Sequence, residues 1–240
     1  MDADASPTPG SPRWWAKVEA PAGGRGRPPV PTGRIVAAGL ELLDDADGPE
    51  YSIRTVASRL GSSTATLYRR LGGRPGLDAL IVDHVLGEAV AQVRDAPEDA
   101  DWQAASAAGA DAIFTALAGH PGVVPLLAAD VPHGPNSALL RERFVARLLE
   151  AGFDPSVAAR TYTTVAHYTV GFALQLSFAP PEAQGESGSE SGPESGSVSG
   201  AAPDARFPAT ARVAAHLDAD LREEFSFGLS MLLRGVAASR

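Results

Sequence analysis

The apolar positions between residues 51 and 77 recur with helical spacing and predict two short helices joined by a tight turn. Ser52 is a candidate N-cap of the first helix, whose buried face follows the i, i+3, i+4, i+7 pattern at Ile53, Val56, Ala57 and Leu60. Gly61 ends it, and Ser63 can cap the second helix, Thr64 to Leu71. In that second helix Leu67 and Leu71 face inward, which leaves four residues facing out: Thr64, Ala65, Tyr68 and Arg69. This arrangement favours DNA binding, although similar helix pairs occur in proteins that bind no DNA.

The rest of the chain also has helical periodicity and no alternating strand pattern. A helix from Thr32 to about Ala46 would close a three-helix head. A helix from Pro75 to about Arg94 is apolar on more than one face and is expected to contact both the head and the segments that follow. Later helices are predicted over residues 101–118, 122–128, 136–151 and 155–178, with a last pair between 208 and 238. We therefore predict an all-α fold with a helix-turn-helix head and a C-terminal helical domain.

Composition divides the chain into three parts. Residues 1–31 are rich in Pro, Gly and small residues and are expected to form a largely disordered basic arm. Residues 32–74 would form the DNA-binding head, and 75–240 a C-terminal helical domain. Within the latter, 180–206 is a low-complexity stretch of Gly, Ser, Glu and Pro that is expected to be a flexible loop, because it cannot bury enough apolar surface to offset chain entropy.

The net charge of −9 is divided unevenly along the chain. Residues 11–75 hold ten Lys/Arg and six Asp/Glu, whereas residues 76–240 hold ten basic and twenty-one acidic residues. One basic end is therefore available for phosphates, and the acidic remainder would keep other surfaces away from DNA.

The order T-V-A-S-R-L-G-S-S-T-A-T-L-Y-R-R-L from Thr55 to Leu71 resembles the DNA-binding domain of the TetR family of bacterial repressors, with the Leu67-Tyr68 pair as its most specific feature. The resemblance implies phosphate contacts for Thr66 and Tyr68, and Arg74 stands where the family has a lysine. It assigns base contacts to the two ends of the recognition helix, at Thr64, Ala65, Arg69 and Arg70. Flanking hydroxyl and basic groups complete the candidate DNA contacts: Ser52, Arg54 and Ser63.

The N-terminal arm contains two further features. Arg25-Gly26-Arg27-Pro28 is the core of an AT-hook type of motif, which would add Arg25 and Arg27 to the DNA contacts through a narrow minor groove; the alternative is a basic linker without site preference. The pair Trp14-Trp15 would either dock on the folded body or remain an exposed stacking group, and docking is favoured.

Four C-terminal segments resemble the tetracycline-repressor type of C-terminal domain; they begin at Asp101, His120, Glu150 and Val165. Matching segment to segment implies a ligand pocket lined by Ile113, Leu127, Phe144, Tyr162, Thr163 and His167, with Asp130 and Arg141 near its mouth. The metal-binding histidine of that type falls at Leu127, and two of its polar residues fall at Ala89 and Gly109. We therefore expect a largely hydrophobic small-molecule effector and no response to tetracycline.

Other classes of function find little support in the sequence. The chain has no cysteine, no catalytic serine or phosphate-loop motif and no metal-ligand set, since His84 and Glu88 lack a third partner; no enzyme activity, cofactor or metal is expected. The sequence has no run of eighteen apolar residues, which predicts a cytoplasmic protein without membrane contact. We predict a homodimeric, effector-responsive repressor of a palindromic DNA operator, paired through residues 155–178 and 220–236. The alternative is a constitutive architectural DNA-binding protein.

Overall fold

The computed structural model describes residues 7–19, 30–45, 48, 50–94, 101–129, 133–177, 206–217 and 220–238. Throughout these ranges the regular structure is helical and contains no strand, as predicted. The α-helices are α1 Pro12–Glu19, α2 Thr32–Asp44, α3 Ile53–Arg59, α4 Thr64–Leu71, α5 Arg74–Gln92, α6 Trp102–Gly119, α7 Val124–Ala129, α8 Pro135–Glu150, α9 Pro155–Leu176, α10 Pro208–Val213 and α11 Leu221–Ala238. Short 3₁₀ turns precede α7 at Pro121–Val123 and follow α10 at Ala214–His216.

The described chain forms two compact units that divide after Ser177. In the first unit α5 is the central element, because it packs against α2 and α4 on the head side and against α6 and α8 on the core side. Its apolar residues are buried on several faces, including Leu77, Ile81, Val85 and Ala89. The predicted double contact of this helix is therefore confirmed. Helix α9 closes the core by packing against α6 and α8.

The second unit contains α10 and α11. Along α11, Phe225, Leu229 and Leu233 recur every four residues and are buried. Phe227 and Met231 of the same helix are 68% and 55% exposed. The helix thus carries a buried apolar stripe and a separate exposed one. The predicted flexible loop over 180–206 lies, except for Arg206, outside the described residues.

The prediction that residues 1–31 are largely disordered is wrong for the helix α1. Trp14, Trp15 and Val18 are buried, and the two indole rings meet edge to face with centroids 4.9 Å apart. The spacing of these residues over one helical turn places them on one side of α1, which docks by this side as expected of the tryptophan pair. Residues 1–6 and 20–29 lie outside the described ranges.

No single helix in the described ranges combines the length and hydropathy needed to cross a membrane. The consecutive helices Trp102–Gly119 and Pro121–Ala129 meet the criterion only when taken together, and they are bent by 102° at their junction.

Candidate DNA-binding face and core cavity

The two helices of the predicted DNA-binding unit begin at the serine caps that the sequence indicated. The backbone N–H of Thr55 donates to Ser52 Oγ at 3.2 Å, and the Ser52 N–H donates in return to Thr55 Oγ1 at 2.9 Å. Ser63 Oγ accepts from the backbone N–H of Thr66 at 3.1 Å. These reciprocal contacts satisfy N–H groups that have no partner inside the helix. The hydroxyls of Ser52 and Ser63 therefore cap the N-terminal ends of the two helices. This structural role is separate from any contact that they make with DNA.

The recognition helix α4 buries Leu67 and Leu71 and presents its opposite side to solvent. Thr64, Ala65 and Arg69 are exposed, Thr66 is partly exposed, and Tyr68 is 59% exposed. The outward face predicted from the sequence is therefore present. Arg54 on α3 is exposed as well.

Arg70 differs from its predicted position. Its guanidinium donates one hydrogen bond to the carbonyl oxygen of Val30 and another, of 2.6 Å, to Thr32 Oγ1. Burial lowers the pKa of this guanidinium. Arg70 thus holds the start of α2 against the end of α4, a position that does not match the base contact assigned to it. The sequence could not indicate this contact, because the partners are about forty residues away.

Arg74 is the first residue of α5, and its side chain belongs to a cluster with those of Tyr51 and Asp78. Its guanidinium lies 4.8 Å from the ring centre of Tyr51 and 3.6 Å from the Asp78 carboxylate. Tyr51 Oη donates to Asp78 Oδ1 at 2.6 Å. Burial raises the pKa of the Tyr51 phenol and that of the Asp78 carboxyl. The Arg74 side chain is still half exposed. Arg25 and Arg27 lie outside the described residues.

A cavity of about 1030 Å³ lies among α5, α6, α7, α8 and α9. All six residues predicted for the ligand pocket line it: Ile113, Leu127, Phe144, Tyr162, Thr163 and His167. Arg141 also lines it, whereas Asp130 is outside the described residues. The structure therefore brings together side chains from four helices that are up to about fifty residues apart in the sequence.

The lining of this cavity is largely apolar, with a few polar groups. The rings of Phe144 and Tyr162 lie 5.7 Å apart in an edge-to-face arrangement. Burial raises the pKa of the Tyr162 phenol, although the positive charge of Arg141 acts in the opposite direction. The Thr163 hydroxyl donates to the Ala159 carbonyl oxygen at 3.0 Å and retains its capacity to accept. His167 is exposed toward solvent.

Sequence reasoning missed two features of the cavity wall. Ser106 is 2% exposed, and its hydroxyl has no hydrogen-bond partner among the described residues. Arg94, Arg143 and Arg147 join Arg141 on the lining. A serine within an alanine-rich helix gives no local signal of a ligand site, and the arginines of α8 have the pattern of an ordinary solvated helix face.

The segment match also placed three residues where tetracycline repressors carry polar groups. Leu127 and Gly109 line the cavity, but Ala89 is buried elsewhere on α5. His84 Nε2 and Glu88 Oε1 are 3.9 Å apart, and within the described ranges no group of three or more His, Cys, Asp or Glu is arranged to hold a metal ion.

Comparison with known proteins agrees with this architecture. The family model for the tetracyclin repressor-like C-terminal domain matches residues 95–240. The chain is 28% identical over 216 residues to an HTH-type transcriptional regulator of Saccharopolyspora erythraea, covering 90% of this chain and 88% of that protein. It is 30% identical over 146 residues to tetracycline repressor protein class G of Vibrio anguillarum, covering 60% and 67% respectively.

A solved structure, the TetR family protein ActR of Streptomyces coelicolor in complex with (S)-DNPA, superposes with a TM-score of 0.72. It is 25% identical, and the match covers 88% of this chain and 99% of that chain. The matched family model spans more than half of the sequence, and the described helices have the same fold. The chain therefore belongs to the TetR family of transcriptional regulators.

Proposed function

We propose that this regulator is a ligand-responsive repressor, which binds a palindromic operator as a homodimer and leaves it when a small, largely hydrophobic molecule enters the core cavity. The observation that carries the proposal is the position of α5, which contacts the recognition helix α4 at one end and lines the cavity near the other. A change in the cavity can reach the DNA-binding face through this one rigid element. The similar protein ActR was solved in complex with (S)-DNPA, which supports ligand binding by this regulator.

Two contacts couple the cavity wall to α5 and the head. Asp83 of α5 is buried and accepts from the backbone N–H groups of Asn136 and Ser137, at 3.0 and 3.2 Å, so that it caps the cavity helix α8. His120 follows α6 and lies 3.3 Å from Glu88 of α5 and 3.4 Å from Asp44 of α2. A ligand that displaces α8 or α6 would therefore move α5 and α2.

Such a displacement matters because repression requires two recognition helices at a fixed spacing. In a dimer they must enter successive major grooves, which are about 34–36 Å apart. A ligand that binds better to the displaced state shifts the population away from the DNA-binding geometry. We place the dimer contact on α9 and on the exposed stripe of α11 formed by Phe227 and Met231.

The proposal is tested by selecting binding sites for the purified full-length chain from random duplex DNA. We expect an inverted repeat. Compounds are then titrated against the labelled operator complex, and an effector must release DNA from the native protein. Ile113→Trp, which fills the cavity, should abolish release, while Leu139→Trp on the exposed outer side of α8 should not. Coating of DNA without site preference, and without release by any compound that binds the cavity, would instead indicate an architectural protein.

Tetracycline is not expected to be the effector. The position matched to its metal ligand is the buried, apolar Leu127, so a magnesium–tetracycline complex would lose that bond, and each unpaired polar group would cost about 1–3 kcal/mol. We expect no release of the operator at micromolar drug with magnesium. Release at that concentration would show that the segment match is mistaken.

A further inference from the structure

The described charged residues that line the cavity are mostly basic, whereas the C-terminal region that contains the cavity is mostly acidic. Residues 76–240 hold twenty-one acidic and ten basic residues. Among the residues that the structure describes, the charged lining of the cavity, in contrast, consists of one acid, Glu150, and four arginines: Arg94, Arg141, Arg143 and Arg147. Four of the ten basic residues of this region therefore line one cavity. A random part of this acidic region would be expected to carry more acidic than basic residues.

The arginines on α8 are not all used for pairing within the protein. Arg147 lies 3.4 Å from the Glu150 carboxylate, one turn further along the helix. Arg141 and Arg143 are exposed at the cavity opening and form no ion pair with any residue in the described part of the chain. Arg141 is also close enough to the cavity interior for its charge to act on the Tyr162 phenol. Two guanidinium groups thus remain available to a ligand at the edge of the apolar wall.

The unpartnered hydroxyl of Ser106 is a second, independent indication that the cavity accommodates a ligand. Ser106 lies on α6, lines the cavity and is 98% buried, since its exposed fraction is 2%. A buried hydroxyl without a hydrogen bond is unfavourable and is uncommon in folded proteins. A ligand that carries polar atoms as well as an apolar body would supply the missing partner.

We propose that the cavity takes an amphipathic organic anion, whose apolar or aromatic body packs against Ile113, Leu127 and Phe144 and whose acidic group pairs with a guanidinium at the edge of this wall, that of Arg141 or Arg143. This inference rests on the proposed function, since it names the chemical class of the effector for the same cavity. Arginine suits the role because its planar fork donates two parallel hydrogen bonds to a carboxylate or sulfonate oxygen pair. The apolar wall would bind a neutral molecule of the same shape more weakly.

The test uses two fluorescent probes with the same aromatic body, 1-anilinonaphthalene-8-sulfonate, which is an anion, and N-phenyl-1-naphthylamine, which is neutral. Both are titrated against the full-length protein. We expect the sulfonate to bind at least about tenfold more tightly, as a hydrogen bond to a charged group contributes about that factor. Ile113→Trp should abolish binding of both probes, which places them in the cavity.

The double variant Arg141→Gln with Arg143→Gln should weaken the anionic probe about tenfold and leave the neutral probe unchanged. Arg160→Gln with Arg212→Gln removes the same charge from exposed positions outside the cavity and should leave both probes unchanged. A neutral probe that binds as tightly as the anion, or a control double variant that weakens the anion equally, overturns the proposal. If the neutral probe also releases the operator, the effector-responsive function stands without the preference for an acid. If neither probe binds, the anion proposal fails, while the repressor function is decided separately by operator selection and release.

Discussion

The indole Nε1 of Trp14 donates a hydrogen bond of 2.8 Å to the carbonyl oxygen of Leu71. Leu71 is the last residue of the recognition helix, where carbonyl groups lack partners within the helix. A side chain on Gly76 could not be accommodated here, since its Cβ would lie 1.9 Å from the Leu71 oxygen and 2.8 Å from the Trp14 ring. The N-terminal helix α1 is therefore part of the head and holds the C-terminal end of α4.

Replacing Trp14 by Phe should lower the free energy of unfolding by about 1–3 kcal/mol, because it leaves the buried Leu71 carbonyl without a partner. Deleting residues 1–19 should cost more, since three buried side chains are lost with α1. Urea denaturation of the substituted and the shortened protein measures both effects. Arg13→Ala, at an exposed position of the same helix, is the control. An unchanged midpoint after the deletion would contradict the structural role of α1.

Adjacent arginines on α4 should have different effects on DNA recognition. Arg69 is exposed, and Arg69→Ala should change which operator sequences are preferred, by about 1–3 kcal/mol at the base it contacts. Arg70→Ala should lower stability by about 1 kcal/mol through loss of its contacts with Val30 and Thr32. Tyr68→Phe should weaken all sequences equally if its hydroxyl binds phosphate. Selection of binding sites with each variant, alongside denaturation, separates the three roles; an altered preference with Arg70→Ala alone would reverse the assignment.

The proposed dimer depends on the exposed stripe of α11. Phe227→Glu with Met231→Glu should convert the dimer to a monomer at micromolar concentration, because each buried carboxylate would lack a partner. Leu229 lies within the predicted contact range 220–236, but it is only 3% exposed in the single chain, so its replacement would test stability and not pairing. Equilibrium sedimentation measures the outcome. Ser226→Glu, which adds a carboxylate at an exposed position on another side of the same helix, serves as the control, and a dimer that survives the double substitution would exclude this stripe.

Removing the unpartnered hydroxyl of Ser106 should not destabilise the ligand-free protein. Ser106→Ala eliminates a buried polar group without a hydrogen bond and should raise the free energy of unfolding by about 1 kcal/mol. Thr169→Ala is the matched comparison, since the buried Thr169 hydroxyl donates to the Val165 carbonyl at 2.9 Å; this variant should be less stable than the native chain. Thermal denaturation of the ligand-free proteins measures both effects, and a loss of stability in Ser106→Ala would show that the hydroxyl is satisfied.

The head should lose stability at alkaline pH. The pKa of the Tyr51 phenol is raised above its usual value of 10.0, mainly by burial and also by its contact with Asp78, so the folded state retains a proton that the unfolded chain releases. The contribution of Tyr51 is therefore complete below pH 10 and is lost as the pH rises beyond it. Tyr51→Phe should reduce this loss, while costing about 1 kcal/mol at pH 8 through the missing hydrogen bond. Denaturation at pH 8 and at pH 10.5 provides the comparison, with the exposed Tyr68→Phe as the control; an equal loss in native and Tyr51→Phe proteins would exclude Tyr51 as the cause.

The sequence by itself determined the two helices of the DNA-binding unit, α3 and α4, their starts and the outward face of α4. Capping by Ser52 and Ser63 depends on N–H groups within three residues, and the burial of Leu67 and Leu71 follows from a spacing of one helical turn. These are local relations, so the pattern of residues contains them. The resemblance to the TetR family also indicated six residues of the cavity wall, because the matched segments carry the family's order of helices.

Only the tertiary structure decided which of these side chains are available to contact DNA or a ligand. Arg70 and Arg69 are neighbours with the same chemistry, yet Arg70 turns toward Thr32 because α2 begins beside the end of α4. The docking of α1 arises from its contact with Leu71, fifty-seven residues away. The arginines at the cavity opening and the buried Ser106 acquire their roles only where α6 and α8 meet the same cavity. Such relations depend on how distant segments pack, and a periodic pattern within one helix contains no information about its partner.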